Sequence, residues 1–462
     1  MKCPSAILVI SALLLSSGVE ADCLAADELK ASADVVLMGQ ASYVNKKASI
    51  WRIQGRNPYT ADNLYNDIAL KLSSACALVE NTLDLDFSFY GLGYYPALSV
   101  GAFEKDNHRA KMLIDQLRVT YTLSDTVRLE GGKLNTPQGT FFLRSPATLL
   151  TNFYAAFKPT RLYDPDMKAA YSESFWGGRL TKAFRDYALS LTVAPQLTHI
   201  DHYYESSGNW SANERSNSSE RYLLSYTDYR LKNHTSSVSL MLGDSPSIAI
   251  ADSYNYTPHL VINAEVAYHT AQQWRHFSAK KAADVQAWQF PSSLYSTENK
   301  QGIELAIGGQ YTTNHFSVLG MEYYFQSEGY SKSEWRDQTD FIRYLDKETG
   351  YRMLDRAFDN YKYLMGSEIS NTTNKGMLQG KHYVNAYASF LSDDKSTLQP
   401  YLAMNIMDGS ALLGIHHVKP LKGMSDKVEL YSGLYSALGS KDAEFALFGD
   451  TLGIYIGFKY HL

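Results

Sequence analysis

Beyond its N-terminal region the chain contains no run of about 18 or more apolar residues, which removes transmembrane helices from the rest of the sequence. Charge is sparse as well. Only 20% of residues are charged and the net charge is −5, without the clustered Lys and Arg that neutralise phosphates, so a nucleic-acid partner is excluded. With 3 cysteines there is no CxxC pair, and HExxH, GxSxG and Walker signatures are missing too. The sequence therefore offers no catalytic set, no metal site and no cofactor, and it does not read as an enzyme.

What it has in quantity is tyrosine. Tyr 35 exceeds Phe 19 and Trp 6 together, and tyrosine is the aromatic suited to a surface half in lipid and half in water. The mean hydropathy is −0.28, a polar average, as expected if every second strand residue faces water while its neighbours face lipid. At 462 residues the chain is long enough for several soluble domains or for one large closed barrel.

The N-terminus reads as an export signal: Lys2 supplies positive charge, Ala6 to Leu15 are apolar, and Val19-Glu20-Ala21 offers small residues at a cleavage site. This predicts a signal peptide over 1–21, a periplasmic N-terminal segment over 22–34 and a transmembrane barrel over 35–462. Cleavage after Ala21 leaves Cys23 and Cys76 in an oxidising compartment, where they can form a disulfide. Cleavage after Ala25 instead removes Cys23.

The C-terminus alternates strictly: Leu452, Ile454, Ile456, Phe458, Tyr460 and Leu462 against Gly453, Tyr455, Gly457, Lys459 and His461. That is a strand with one apolar face. The same dyad pattern recurs at Leu83 to Phe89, Leu117 to Thr122, Tyr187 to Val193, Leu260 to Tyr268 and Ile303 to Tyr311. Short joints such as Ser124 to Thr126, Phe184 to Asp186 and Ser392 to Ser396 alternate with long ones such as Thr136 to Ser174, Ala271 to Lys300 and Ser327 to Met377. A soluble sandwich has no reason to alternate this way, whereas a membrane barrel has tight periplasmic turns and long outer loops. The expected fold class is all-β, a transmembrane antiparallel up-and-down barrel of about 18 strands. The stretch 247–252 is short, and without it the count falls to about 16. Helical spacing is present from Thr339 to Leu364.

The hairpin Leu117 to Gly139, LRVTYTLSDTVRLEGGKLNTPQG, with the last strand and the export signal, resembles the outer-membrane porins. The similarity is to 16–18-strand substrate-specific channels of the alginate-export or phosphate- and carboxylate-selective type. It implies residence in the cell outer membrane with lipid around the wall, insertion by the barrel-assembly machinery, and passive diffusion of a small hydrophilic solute. Members of such families usually end in an aromatic residue, whereas this chain ends in Leu462. The alternative functions are a barrel scaffold or export conduit for a lipid, polymer or partner protein, and a membrane-embedded hydrolase, for which the sequence presents no nucleophile with a base and orienting acid.

Porin-like barrels fold one long loop inward, and Thr136 to Ser174 is the candidate here. Its charged residues Arg144, Lys158, Arg161, Asp164 and Asp166 are the constriction candidates. The alternative for this loop is an extracellular cap. Strand alternation places Asp84, Asp86, Arg118, Arg128, Glu130, Glu265 and Glu304 toward the lumen, with Lys71, Arg179 and Lys459 on the same parity. Their signs are mixed, so no ion preference follows. His416 and His417 are adjacent on a strand and point to opposite faces, which argues against joint metal ligation.

Overall fold

The computed structural model describes residues 33–47, 50, 63–99, 107–135, 139–150, 174–200, 217–298, 300–374, 376–421, 427–446 and 450–462. The signal peptide, Cys23, Lys158, Arg161, Asp164 and Asp166 lie outside them.

The strands run β1 Asp34–Lys46, β2 Leu64–Val79, β3 Leu83–Ser99, β4 Asn107–Ser124, β5 Val127–Leu134, β6 Phe175–Ala183, β7 Tyr187–Ala194, β8 Arg221–Asp228 and β9 His234–Gly243. They continue as β10 Ser247–Thr257, β11 Leu260–His269, then β14 Gly302–Thr312, β15 Val318–Gln326, β16 His382–Leu391, β17 Thr397–Asn405, β18 Ala411–Pro420, β19 Val428–Leu438 and β20 Asp450–His461. These make one 18-stranded antiparallel sheet, which β1 closes by pairing with β20, from Val36↔His461 to Lys46↔Asp450. Closure leaves no open edge among these strands, which is the arrangement that hydrocarbon requires. β12 (His276–Phe277) and β13 (Tyr295–Ser296) form a separate small hairpin.

Which residues face lipid follows from the alternation. On β20, Ile454, Ile456 and Phe458 are exposed while Tyr455 and Lys459 are buried. On β2, Leu64, Ile68, Leu70 and Leu72 are exposed between Tyr65, Asp67 and Ala69, which are buried. The outside is thus an aliphatic band and the inside holds the polar residues. No helix among the described residues is long and apolar enough to cross a membrane. Both chain ends of the barrel, Asp34 and His461, lie at the tight-turn side, where an aromatic cluster includes stacked Phe184 and Tyr187 at 4.4 Å and Tyr226 at 5.6 Å from Tyr187. Such rings suit the lipid–water boundary. Cys76 on β2 is disulfide-bonded.

The 18 strands are the number expected from the sequence, and the structure differs from that reading in two details. β10 runs through Thr257, longer than the stretch 247–252, so the alternative count of 16 falls away. The apolar alternation fades after Ile250 because Asp252 occupies the outward parity, held by Ser236 Oγ at 2.6 Å and His234 Nδ1 at 3.0 Å. Secondly, the helical stretch is two helices, α2 (Lys332–Leu345) and α3 (Arg352–Asn374), interrupted where Gly350 adopts φ +77°.

With α1 (Ala279–Gln286) and the β12–β13 hairpin, these helices build a cap on the long-loop side. Its core joins Trp274, Val285, Leu294, Phe341, Ile342, Phe358 and Met365. α2 starts with a capping box, Ser331 and Glu334, which satisfies two free amide donors. Trp335 Nε1 donates to the Asp442 carbonyl at 2.8 Å and so ties the cap to the β19–β20 connection. Phe341→Ala should remove about 3–5 kcal/mol from the cap, the usual cost of emptying an aromatic site. Limited proteolysis should then cut within 332–374 while the strands remain protected; cleavage unchanged from wild type would contradict an independent cap core.

Candidate functional site

Two walls of the lumen carry organised polar groups, and they face one another across the ring. β3–β6 are the third to sixth staves and β11, β14, β15 and β16 the eleventh to fourteenth of the 18-stranded closure.

On the first wall the tight turn between β4 and β5 sets Thr120 opposite Glu130, and Glu130 pairs in turn with Arg179 on β6. Arg118 is opposite Asp86 on β3. The result is a continuous ladder: Arg118 Nη2 lies 2.9 Å from Asp86 Oδ2, Arg118 Nη1 3.3 Å from Glu130 Oε1, and Arg179 Nε is ion-paired to Glu130 Oε2. Glycine makes room for it. Gly132 has φ +122°, and a side chain there would collide with the Leu117 carbonyl, so the backbone opposite Arg118 stays bare. Sequence reasoning placed Asp86, Arg118, Glu130 and Arg179 on the inward parity, and the structure joins all four. Asp84 and Arg128 share that parity nearer the tight turns, opposite Thr120 and Thr122, outside the ladder.

On the second wall three buried glutamates, Glu265 on β11, Glu304 on β14 and Glu322 on β15, receive the segment 139–150. That segment leaves β5 and docks on the far side of the lumen. Glu265 Oε1 accepts from the Thr140 amide at 2.8 Å and hydroxyl at 3.1 Å. Its Oε2 accepts from the Ala147 amide at 2.9 Å and from the Ser145 hydroxyl. Glu322 accepts from the amides of Phe142 at 2.7 Å and Leu143 at 2.9 Å, and from Asn385 Nδ2 at 3.0 Å. Arg144 forks onto Glu304, Nε at 2.9 Å and Nη2 at 2.8 Å, with Tyr324 donating to the same carboxylate at 3.0 Å. Four backbone amides without partners in a ladder are thus satisfied by two side chains, and the Arg144 guanidinium meets its countercharge.

Apolar contacts complete the docking. Phe141 and Leu143 enter a cluster with Ala306, Tyr324, Leu378 and Tyr383, and Ala147 packs on Ala249 and Ala267. The far end returns to β8, where Arg221 Nη1 donates to the Leu150 carbonyl at 2.7 Å. Gly139 has to be glycine, since a Cβ there would occupy the position of Ser145 Oγ. Of the constriction candidates, Arg144 is in this segment; Lys158, Arg161, Asp164 and Asp166 fall outside the described residues. Residues 139–150 of this loop dock on Glu265, Glu304 and Glu322. Glu322 is a member of the site that is not among the candidates above, although Glu322, Tyr324 and Gln326 alternate with Met321, Tyr323 and Phe325 in a pattern that marks it as inward.

One further row has the residue types of a hydrolytic set. Ser247 Oγ is 2.8 Å from His269 Nδ1, and His269 Nε2 is 3.5 Å from Glu304 Oε1. The Ser247 hydroxyl also reaches the Ser245 carbonyl at 3.1 Å, and Glu304, in the place of an orienting acid, is already bound by the Arg144 fork. His416 is buried against Tyr455, its Nδ1 2.9 Å from the phenol oxygen, and no cluster of three metal-ligating side chains exists among the described residues.

No family model and no curated protein matches the chain. Solved structures of outer-membrane proteins are similar over nearly its whole length. OccK8 (OprE) of Pseudomonas aeruginosa is 11% identical, covers 93% of this chain and 98% of its own, and superposes with a TM-score of 0.47. OccK11 (OpdR) of the same organism is 9% identical, with coverages of 93% and 95% and a TM-score of 0.48. Wzi of Escherichia coli, a carbohydrate-binding β-barrel involved in group 1 capsule assembly, is 9% identical, with coverages of 95% and 87% and a TM-score of 0.47.

Proposed function

We propose that this chain is an outer-membrane channel through which small hydrophilic solutes diffuse passively, narrowed by the segment 139–150. The observation that carries the reading is the docking of that segment across the lumen on Glu265, Glu304 and Glu322. A ring of this many strands is wider than its own side chains can fill, so its interior is a water-filled passage unless something occupies it. The docked segment occupies one side and leaves the ladder of Asp86, Arg118, Glu130 and Arg179 on the other. Fixed charges of both signs on one wall give a local field that sorts solutes by charge distribution as well as by size.

The purified, folded protein added to a planar bilayer should give stepwise current increments of uniform size. Folded protein that inserts, as judged by protease protection of its strands, yet gives no increments would overturn the channel reading.

A further inference from the structure

Beyond the ends of β14 and β15, where they meet the helical cap, lies a cavity of about 290 Å³. Its walls include His276, Glu298, Lys300, Glu328, Tyr330 and Glu334. Four of the polar groups are already engaged. Glu298 pairs with Lys300, Glu334 closes the capping box of α2 by accepting from the Ser331 amide at 2.7 Å, and His276 places one ring nitrogen 2.6 Å from the Glu328 carbonyl and the other 2.7 Å from Gln272 Nε2.

The Glu328 carboxylate is different. Its described hydrogen-bond donor is one backbone amide, that of Gln273, 3.0 and 3.2 Å from its two oxygens, and among the described residues no Lys, Arg or His side chain forms an ion pair with it. It packs over Gly302, where a methyl group would collide with Oε1. A half-buried carboxylate with a single neutral donor lacks the countercharge that such groups ordinarily have. Burial accordingly lifts its pKa to about 8, against the pull of the Gln273 amide. The cavity beside it is of a size for a compact solute and has an aromatic wall in Tyr330.

We propose that this cavity binds small solutes bearing a primary ammonium group, with Glu328 as the counter-ion. The ammonium supplies three donors and a unit positive charge to an acceptor that has open lone pairs. The site lies beyond the last residue of β15, so the inference stands apart from whether the barrel conducts.

The test is calorimetric titration of the full-length protein in detergent, in phosphate buffer free of amines, with ethanolamine, ethylene glycol and glycolate as matched probes. Ethanolamine should bind and the other two should not. Glu328→Gln, with strand content and heat-modifiable migration unchanged, should weaken ethanolamine at least tenfold, whereas Lys300→Gln should leave it within about threefold. Should Glu328→Gln fail to fold, the probe series on the wild-type protein decides alone. Equal binding of ethylene glycol, no binding of ethanolamine, or full affinity in a folded Glu328→Gln protein overturns the proposal.

Discussion

Replacing both Glu265 and Glu322 by alanine should raise single-channel conductance several-fold while the barrel stays closed. These two side chains take the amides of Thr140, Phe142, Leu143 and Ala147 and the hydroxyls of Thr140 and Ser145. Hydrogen bonds to a charged group contribute about 1.5–3 kcal/mol each, so the loss of six outweighs the apolar contacts of Phe141, Leu143 and Ala147 and the two anchors that remain, Arg144 on Glu304 and Arg221 on the Leu150 carbonyl. The amides would turn to lumen water, and the segment would leave the wall. The barrel's own ladders involve none of these bonds, since Glu265 and Glu322 reach the segment by side chain while their backbones pair with Ala306, Gly308 and Asn385. Heat-modifiable migration should therefore be kept. Conductance unchanged in a folded double variant would mean that residues 139–150 do not set the width of the path.

How far this arrangement can be read from sequence depends on which solvent each residue meets. Lipid on one side and water on the other impose an apolar residue at every second position, and that constraint is local. Ile303, Leu305 and Ile307 therefore reveal β14 and its inward partner Glu304 with no knowledge of neighbours. Where the outward face is polar the same argument is silent, as at Asp252 on β10. The α2–α3 break is likewise invisible to periodicity, because the residues on either side keep a helical spacing. What Glu304 and Glu265 do is set by partners 160 and 125 residues away, Arg144 and Thr140, and no repeat encodes a contact at that separation. The ladder shows the intermediate case: alternation gave the face of each member, and register decided that Arg118 meets both Asp86 and Glu130. Cys76 is bonded as the oxidising compartment implies, while Cys23 lies beyond the described residues.

Because the ladder has two acids and two bases in sequence, its members cancel, and removing one exposes the sign of the rest. Glu130→Gln leaves Asp86 against Arg118 and Arg179, a net gain of one positive charge on that wall. The reversal potential in a salt gradient should move toward anion selectivity. Arg118→Gln leaves Asp86 and Glu130 against Arg179 and should move it toward cations. Both shifts should be several-fold in permeability ratio near 0.1 M salt, where the screening length is about 10 Å, and should largely vanish near 1 M, where it is about 3 Å. The opposed directions separate a field effect from a change of width, since a narrower or wider path would alter conductance alike in both variants without reversing the sign. Variants that shift together, or a shift that survives high salt, would place the ladder off the permeation path and leave the docked segment as the sole determinant of what passes.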